Sequence, residues 1–353
     1  MKSINNRRNI RFGIMSRSSV LKRWEAKCID YLLTEKNIII ALLIYPDRRK
    51  GQNKRNIFQE FPPAERLSIL FYNFYERFIL KPKCFLSVDY SKEFENIPHL
   101  ICPTKRQSSS EYFEGEDIKT IKNANLDFII LFSGFENIKG EILYSTRFGI
   151  WSYHHGDPEK FRGNPHCFWE IYYDNSVTGV ILQKLTANIS ESVILRRGFF
   201  KTHNNSFTKN LDNVHNQSSR WIKEVCIDLL NNDAEYLNSL PTKYESSIYN
   251  KPTNIQFIRF YLKLLKNKIS KFLRRVLFIE QWNIGYIDSP INKLLESNRN
   301  SKITWPLSPK KNEFFADPFP IKVNNNILVL FEKYRVMSSI LCEIQQGHSF
   351  EDR

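Results

Sequence analysis

The most restrictive feature of this chain is a continuous apolar run over residues 38–45, which reads IIIALLIY. Eight apolar residues without polar alternation are typical of a strand that is buried on both faces of a parallel sheet. A second run over residues 127–132, DFIILF, has the same character. Strands of this kind need helices on both sides of the sheet, so the two runs favour an α/β architecture.

Strand-like and helix-like patterns alternate through the first 230 residues. Helices are predicted from the apolar spacing in residues 21–32 and 64–80, the second with a stripe at Leu67, Leu70, Phe71, Phe74 and Phe78. Further strands are predicted at 10–15, 98–101, 148–153, 178–185 and 193–199, further helices at 114–122, 167–173 and 220–230, and a polar loop at 203–217. This order predicts a Rossmann-like, mostly parallel sheet with flanking helices over residues 8–232.

The composition and spacing of the remaining residues indicate three further segments. Residues 233–254 are polar, contain two prolines and are predicted to form a linker. Residues 255–280 predict a basic amphipathic helix with an apolar face at Ile258, Leu262, Leu265, Ile269, Phe272 and Val276. Such a helix either lies on an anionic membrane or packs its apolar side on protein. Residues 281–353 predict a short, incomplete β segment around residues 314–334.

Charge and cysteine usage narrow the class of partner and the compartment. The net charge is +15, from 52 basic and 37 acidic residues. This excess fits an anionic partner, and it equally fits a role in solubility alone. The six cysteines form no Cys-x-x-Cys pair, so no metal site is predicted, and reduced thiols fit the cytoplasm. The longest apolar run is too short to span a bilayer.

Residues 148–163, FGIWSYHHGDPEKFRG, carry the strongest functional signal. A predicted strand leads directly into His154, His155 and Asp157, and Arg162-Gly163 follows. Ligands of open α/β folds bind outside the carboxyl ends of the strands, so this position predicts a site. The alternative is that the two histidines only end a strand, because a short motif is a hypothesis until its context agrees.

The segment SYHHGDPEKFRG (152–163) resembles the site loop of the 10-formyltetrahydrofolate-dependent formyltransferases, in which Asn-x-His-Pro-Ser precedes Arg-Gly. In this register His154 matches the catalytic histidine of the family, and Arg162-Gly163 matches its Arg-Gly. Thr178-Gly179-Val180 matches the Thr-Gly-Val strand of the family. DFIILFSGF (127–135) matches the strand and loop that hold the folate, which implies cofactor binding by Phe132, Ser133, Gly134 and Phe135.

Two positions depart from the family pattern. Ser152 replaces the asparagine, and a hydroxyl donates only one hydrogen bond to an oxyanion. Ser190 lies twelve residues after Thr178, where the family has its catalytic aspartate, and Glu191 follows it. The resemblance implies that His154 stabilises the oxyanion or shuttles a proton, that Ser152 completes the oxyanion contacts, and that Glu191 replaces the base. It also implies that His155, Asp157, Arg162 and Gly163 contact the substrate or fix the loop.

The C-terminal segment resembles a different domain. FADPF (315–319) is similar to the first blade of five-bladed propeller glycosidases and to the N-terminal domain of plant glucosamine inositolphosphorylceramide transferases. The whole pattern resembles a subfamily in which a formyltransferase domain precedes an ADPF-containing domain. A propeller needs about 4–8 blades of four strands, so residues 281–353 predict a partial, propeller-like piece of a truncated chain, or one that packs on the first domain.

The resemblance implies transfer of a formyl group from 10-formyltetrahydrofolate to a small-molecule amine, with an amino sugar of surface-polysaccharide assembly as the predicted acceptor. The first alternative is a catalytically impaired relative that binds folate or carbohydrate, because Ser190 replaces the aspartate. The second is a methionyl-tRNA formyltransferase, but no C-terminal β-barrel pattern follows residue 200, so nucleic acid is not the favoured partner. A cytoplasmic location with peripheral membrane contact through residues 255–280 is predicted.

Overall fold

The computed structural model describes residues 9–47, 63–107, 110–188, 190–278, 282–287, 302–305, 307–310, 313–323, 326–335, 341–345 and 349–351. The chain forms two compact units, Met1–Ile269 and Ser270–Arg353. None of the helices among these residues combines the length and the apolar character that crossing a membrane requires.

The strands of the first unit are β1 (Ile10–Met15), β2 (Val20–Lys22), β3 (Ile38–Pro46), β4 (Ser87–Asp89), β5 (His99–Cys102), β6 (Thr104–Gln107), β7 (Ser110–Phe113), β8 (Phe128–Leu131), β9 (Ile138–Lys139), β10 (Ile150–His154), β11 (Arg162–Gly163), β12 (Val177–Leu185), β13 (Glu191–Lys201), β14 (Thr242–Lys243) and β15 (Ile248–Tyr249). The helices are α1 (Arg23–Leu33), α2 (Pro63–Ser68), α3 (Leu70–Phe74), α4 (Gly115–Asn123), α5 (Phe168–Tyr172), α6 (Phe207–Ser218), α7 (Trp221–Asn231) and α8 (Asn254–Leu277). A π-helical turn, Tyr75–Ile79, continues α3, and short 3₁₀ turns lie at Lys83–Phe85, Glu141–Tyr144 and Glu235–Asn238.

In the described part of the first unit, the central sheet has the order β14-β13-β12-β10-β8-β1-β3-β5. The strands from β5 to β10 are parallel to one another, and β12, β13 and β14 continue the sheet in antiparallel pairs. The two continuous apolar runs form β3 and β8, on either side of β1. The predicted α/β fold with a mostly parallel sheet and flanking helices is confirmed.

Alternate residues of each central strand enter two separate cores. On one face, Trp151 stacks on Phe128 with ring centroids 3.8 Å apart, and Phe128 stacks on Phe12 at 5.4 Å. Helices α1, α6 and α7 cover this row of rings, and α4 covers the aliphatic core on the other face. Because β10 is held by apolar packing on both faces, its carboxyl end has a fixed position.

Residues 207–218 correct the predicted loop at 203–217, because they form α6. Its first turn begins at Ser206, whose Oγ accepts a hydrogen bond from the Lys209 amide. The polar composition is misleading because the polar side chains have partners inside the fold. Asn210 Nδ2 donates to Thr178 Oγ1, and Asn210 Oδ1 accepts from the His203 amide.

The helical segment of residues 63–79 is also oriented differently from the sequence prediction. Its predicted apolar stripe lies on the outside, with Phe74 57% and Phe78 59% exposed. Tyr72 and Tyr75 are buried instead, and both rings pack on Phe257 of α8. Large aromatic side chains with a polar tip therefore occupy the inner side, and the fully apolar side chains are left in contact with solvent.

Residues 233–254, which the sequence predicts as a linker, pack on the α/β unit. β14 pairs with the edge strand β13, and β15 pairs with β11. Leu237 and Tyr244 are buried, which explains why this polar segment is held in place. The division into domains that the sequence suggests stays a prediction.

Helix α8 forms where the sequence predicts one, but a different face is buried. Phe257, Phe260 and Leu264 pack into the first unit, and Phe260 is fully buried against Phe168. The predicted apolar face is exposed, as at Leu262 (58%). One side of α8 therefore packs on protein, and another side exposes an apolar stripe.

The described strands of the second unit form one antiparallel sheet. Its strands are β16 (Glu313–Val323), β17 (Asn326–Arg335), β18 (Leu341–Gln345) and β19 (Ser349–Glu351). β16 and β17 are the two strand-like runs that the sequence predicts, and β18 and β19 both pair with β17. The relation of this sheet to propeller blades stays a prediction.

Candidate functional site at the carboxyl end of β10

Strand β10 lies where the sheet changes from parallel to antiparallel. Its neighbours are β8, which runs parallel, and β12, which runs antiparallel. Ser152 is opposite Leu131 on β8 and Gln183 on β12. Ile150 and Trp151 are completely buried, and polar residues follow them. The strand thus presents its polar end at the edge where α/β folds bind ligands.

A cavity of about 190 Å³ opens beside Ser152. Leu131, Ile138 and Leu185 give it apolar walls. Its polar lining comes from Ser152, Glu191, Gln183, Asn188, Thr186, Asn137 and Lys139, and Ala187 completes the lining. The cavity thus combines an apolar wall with several polar side chains that can bind a ligand by hydrogen bonds.

The loop between β12 and β13 positions the acidic side of this cavity. Asn188 Nδ2 donates to Glu191 Oε1 at 3.0 Å, and Asn188 Oδ1 accepts from the Ser190 amide at 3.1 Å. Thr186 Oγ1 closes the loop by donating to the Glu191 carbonyl at 2.8 Å. The structure therefore brings Ser152 and Glu191 to one cavity, and Asn188 fixes the direction of the Glu191 carboxylate.

His154 ends β10, two residues beyond Ser152 and outside the cavity lining. Its ring packs edge-on against His166 with centroids 5.1 Å apart. His154 Nε2 is buried and has no hydrogen-bond partner among the described residues. Burial lowers the pKa of His154 to about 4, and the nearby Asp157 carboxylate only partly opposes this. The imidazole is therefore neutral near pH 7, and its buried Nε2 has capacity for a ligand atom.

His155 has a different environment on the opposite face of β10. Its ring is 4% exposed and stacks on His215 with centroids 3.6 Å apart, and Trp24 packs against it edge-on. Burial holds the pKa of His155 and of His166 well below the ordinary range and lowers that of His215 to about 3. The geometry gives His155 a packing role, and its predicted contact with substrate stays a prediction.

Asp157 fixes the loop after β10 to strand β13. Its carboxylate is 2.8 Å from Arg197 Nη2 and also accepts from the Glu159 amide. Arg197 bonds Glu159 as well, and these two carboxylates raise the pKa of the guanidinium. Asp157 rests against Gly179, where a β-carbon would lie 2.7 Å from the Asp157 Cβ. This close approach explains the glycine of the Thr-Gly-Val motif.

Arg162 and Gly163 form the short strand β11. Arg162 Nη1 donates to the Tyr244 carbonyl at 3.0 Å, and Gly163 pairs with Tyr249 of β15. Gly163 has a φ of 106°, and a β-carbon there would collide with the Tyr249 carbonyl oxygen. The Arg-Gly motif thus anchors residues 242–249 beside the loop that follows His154.

The predicted folate segment, residues 132–135, turns towards the end of β1. Ser133 Oγ accepts from the Arg17 amide, and Gly134 has a φ of 97° and approaches the backbone of Ser16. Phe132 packs on Trp24, and Phe135 packs on Phe113. Leu131 and residues 137–139, on either side of this segment, line the cavity. Cofactor binding by the four predicted residues stays a prediction.

Sequence reasoning missed four polar residues near this site: Gln183, Asn137, Lys139 and His166. Gln183 had a usable signal, because it interrupts the apolar strand VTGVILQKL and faces Ser152. His166 had no such signal. It lies twelve residues after His154, and only the loop geometry brings the two rings together.

The chain is an α/β protein with a cavity at the carboxyl edge of its mostly parallel sheet. No known family profile matches the chain, and no curated protein matches it. Solved structures with a similar chain path include glycinamide ribonucleotide transformylase 1 from Symbiobacterium toebii, with 11% identity, a TM-score of 0.40, and coverage of 69% of this chain and 93% of that one.

Two N-formyltransferases also align with the chain. An N-formyltransferase from Helicobacter canadensis, in complex with folinic acid and dTDP-3-aminofucose, has 11% identity and a TM-score of 0.40 over 96% of this chain and 100% of that one. A sugar 3N-formyltransferase, crystallised in the presence of dTDP and 5-N-formyl-THF, has 11% identity and a TM-score of 0.38 over 96% and 97%. These TM-scores are too low to support an argument about activity.

Proposed function

We propose that the protein transfers a formyl group from 10-formyltetrahydrofolate to an amine, and that the acceptor is an amino sugar of surface-polysaccharide assembly. One observation carries the proposal: Ser152 and Glu191 line the same cavity, and His154 follows Ser152 at alternate spacing on β10. The motif SYHHGDPEKFRG supports it, because its resemblance to the formyltransferase loop implies catalytic residues at the same end of β10.

The cavity has the chemistry that the reactive end of the folate requires. Leu131, Ile138 and Leu185 offer an apolar wall to a ring, and Gln183 and Asn137 offer amide groups for hydrogen bonds. When bound, the folate supplies the formyl group, whose oxygen gains negative charge as the amine attacks the formyl carbon.

Ser152 and His154 would stabilise that oxygen. Ser152 Oγ donates one hydrogen bond, and His154, neutral because burial lowers its pKa to about 4, donates through an imidazole nitrogen. Each such donor contributes roughly 2.7–4 kcal/mol in other acyl-transfer enzymes. Glu191, oriented by its hydrogen bond from Asn188, takes the proton from the attacking amine. The bond between the formyl carbon and the folate nitrogen then breaks, and a proton passes to that nitrogen as the folate departs. Residues 155–163 hold this constellation rigid through Asp157 and Arg197.

Replacing Glu191 with Gln is expected to lower kcat by roughly 10²-fold or more, because a positioned general base contributes about 10²–10⁴. KM should change little, since the amide keeps the shape of the side chain. The measurement is formyl transfer to a panel of amino-sugar nucleotides. Glu235→Gln, at an exposed 3₁₀ turn, is the control. Full activity of Glu191→Gln would show that Glu191 does not act as the general base.

Ser190 supports a second candidate, a relative that binds folate or carbohydrate with little catalysis. Ser190 stands where the resemblance implies an aspartate, and its amide donates to Asn188, a residue that lines the cavity. This candidate predicts that Ser190→Asp raises transfer from near zero. Substantial turnover by the wild type, unchanged in Ser190→Asp, would reject it.

We also propose a cytoplasmic location with peripheral membrane contact through residues 255–280. The exposed apolar side of α8 supports this proposal, because the inner side of the same helix is already covered by protein.

A further inference from the structure

We propose that residues 63–79 and the N-terminal part of α8 form one docking surface, which seats on an anionic lipid bilayer. The docking surface consists of Leu67, Phe74, Phe78, Ile258, Leu262 and Leu265. The inference extends the peripheral location proposed above and does not depend on formyl transfer. It adds the helical segment of residues 63–79 to the membrane contact and names the side chains that meet the bilayer.

The two parts of the docking surface are packed side by side. Asn254, the first residue of α8, donates to the Leu67 carbonyl at 2.6 Å and accepts from the Phe71 amide at 3.0 Å. Lys251 forms an ion pair with Glu76 at 2.8 Å, and the rings of Tyr75 and Phe257 are 5.3 Å apart. These contacts hold the helical segment against the first turn of α8.

Both segments expose apolar side chains in the part of the chain that the structure describes. Leu67 is 67% exposed, Phe74 57% and Leu262 58%, and the rings of Phe74 and Phe78 pack only 5.0 Å apart. Soluble proteins rarely expose contiguous apolar patches of this kind without an interaction. Tyr261, which is also half exposed, adds the residue type that favours the membrane interface.

The charge of α8 identifies the partner. The helix carries seven cationic residues and no acidic one, namely Arg259, Lys263, Lys266, Lys268, Lys271, Arg274 and Arg275. At about 100° per residue, Arg259 and Lys266 border the exposed apolar stripe on one side and Lys268 borders it on the other. An apolar stripe between two cationic borders fits the boundary between anionic headgroups and acyl chains.

A second copy of the chain is a less favourable partner for this surface. It would bring the same cationic borders against one another, and like charges repel across a desolvated contact. An anionic bilayer instead attracts every one of them, and the long Lys and Arg stems keep their charges at the headgroups while the apolar side chains insert.

Vesicle co-sedimentation of the full chain tests the inference. Vesicles of phosphatidylcholine mixed with phosphatidylserine should bind the protein, vesicles of phosphatidylcholine alone should bind it far less, and salt should weaken binding. The double variant Phe74→Ser/Leu262→Ser should lose most of the binding. Leu240→Ser, which removes an exposed leucine outside the docking surface, should bind like the wild type.

A charge series separates this surface from the general positive charge of the protein. Each cation removed near a membrane surface is expected to weaken binding roughly fivefold, so Arg259→Gln/Lys266→Gln should lose about 25-fold. Lys209→Gln, an exposed lysine on α6, should lose far less. Thermal unfolding of each variant checks that the fold is retained.

Three results would overturn the inference: no binding of the folded wild type to anionic vesicles, equal binding of all variants, or concentration-dependent dimerisation that Phe74→Ser/Leu262→Ser abolishes. Because none of these readouts uses formyl transfer, failure here leaves the proposed activity standing. Failure of the activity likewise leaves the docking surface standing.

Discussion

Acidification from about pH 6.5 to about pH 4 is expected to destabilise the protein strongly. His154, His155, His166 and His215 lie close together, and burial lowers the pKa of every one of them. The pKa of a histidine in the unfolded chain is about 6.5. Below that pH the unfolded state binds protons that the folded state excludes, so the free energy of unfolding falls as the pH falls.

The window of this effect follows from the individual histidines. Stability from His154 is fully present above pH 6.5 and is lost as the pH falls towards about 4, and for His215 the loss extends to about pH 3. Each histidine that stays neutral in the folded state lowers the free energy of unfolding by up to about 1.4 kcal/mol for each pH unit of acidification within its window. Urea unfolding at a series of pH values measures the slope.

His215→Phe isolates one member of the cluster. The ring keeps its stacking position on His155, and the titrating group is removed, so the pH dependence should become flatter by up to about 1.4 kcal/mol per pH unit. His99→Gln, which removes an exposed imidazole at the start of β5 outside this cluster, is the control. Identical slopes for wild type and His215→Phe would contradict the assignment.

Gly163→Ala is expected to destabilise the protein by about 3 kcal/mol or more. The residue combines a φ of 106° with direct backbone contact to Tyr249, so the added methyl group is both strained and obstructed. The obstruction cannot be relieved by a side-chain movement, because the obstructing atom is a carbonyl oxygen of β15. The pairing of β11 with β15 should be lost, and with it the anchor of the loop after His154.

Gly115→Ala is the matched control for this substitution. Gly115 is the first residue of α4, has no atom within 4 Å of a new β-carbon, and has no positive φ. Alanine should be neutral there or stabilising by about 0.5–1 kcal/mol. Comparison of the two variants by urea unfolding decides the point, and wild-type stability of Gly163→Ala would contradict the described geometry.

The sheet was predictable because its signal is local. β8 is buried on both faces, and so are residues 42–44 of β3 and Ile150 and Trp151 of β10, so these apolar residues appear directly in the sequence. Helix α6 was not predictable in the same way. Asn210 makes it look like a loop, and its partner Thr178 lies 32 residues away in the chain. Polar side chains whose hydrogen-bond partners are distant in the chain leave no periodic pattern in the sequence.

The candidate site was predictable only at its strand. The motif predicted Ser152 and His154 at the end of β10, and the spacing after Thr178 led to Ser190, whose neighbour Glu191 lines the same cavity as Ser152. The rest of the lining depends on how loops fold back. Leu131 and residues 137–139 reach the cavity, while residues 132–135 turn to β1. Sequence spacing alone does not tell which of these neighbouring residues reach the cavity, because this depends on the turn at Gly134.

Calorimetric titration with a stable 10-formyltetrahydrofolate analogue tests the central claim most directly. The account predicts micromolar binding to the wild type, weaker binding to His154→Ala, and no binding to Ser152→Phe, whose ring would fill the cavity. Leu240→Ser should bind like the wild type. If the folded wild type does not bind the analogue, or if Ser152→Phe binds it as well as the wild type, the cavity beside β10 is not a folate site.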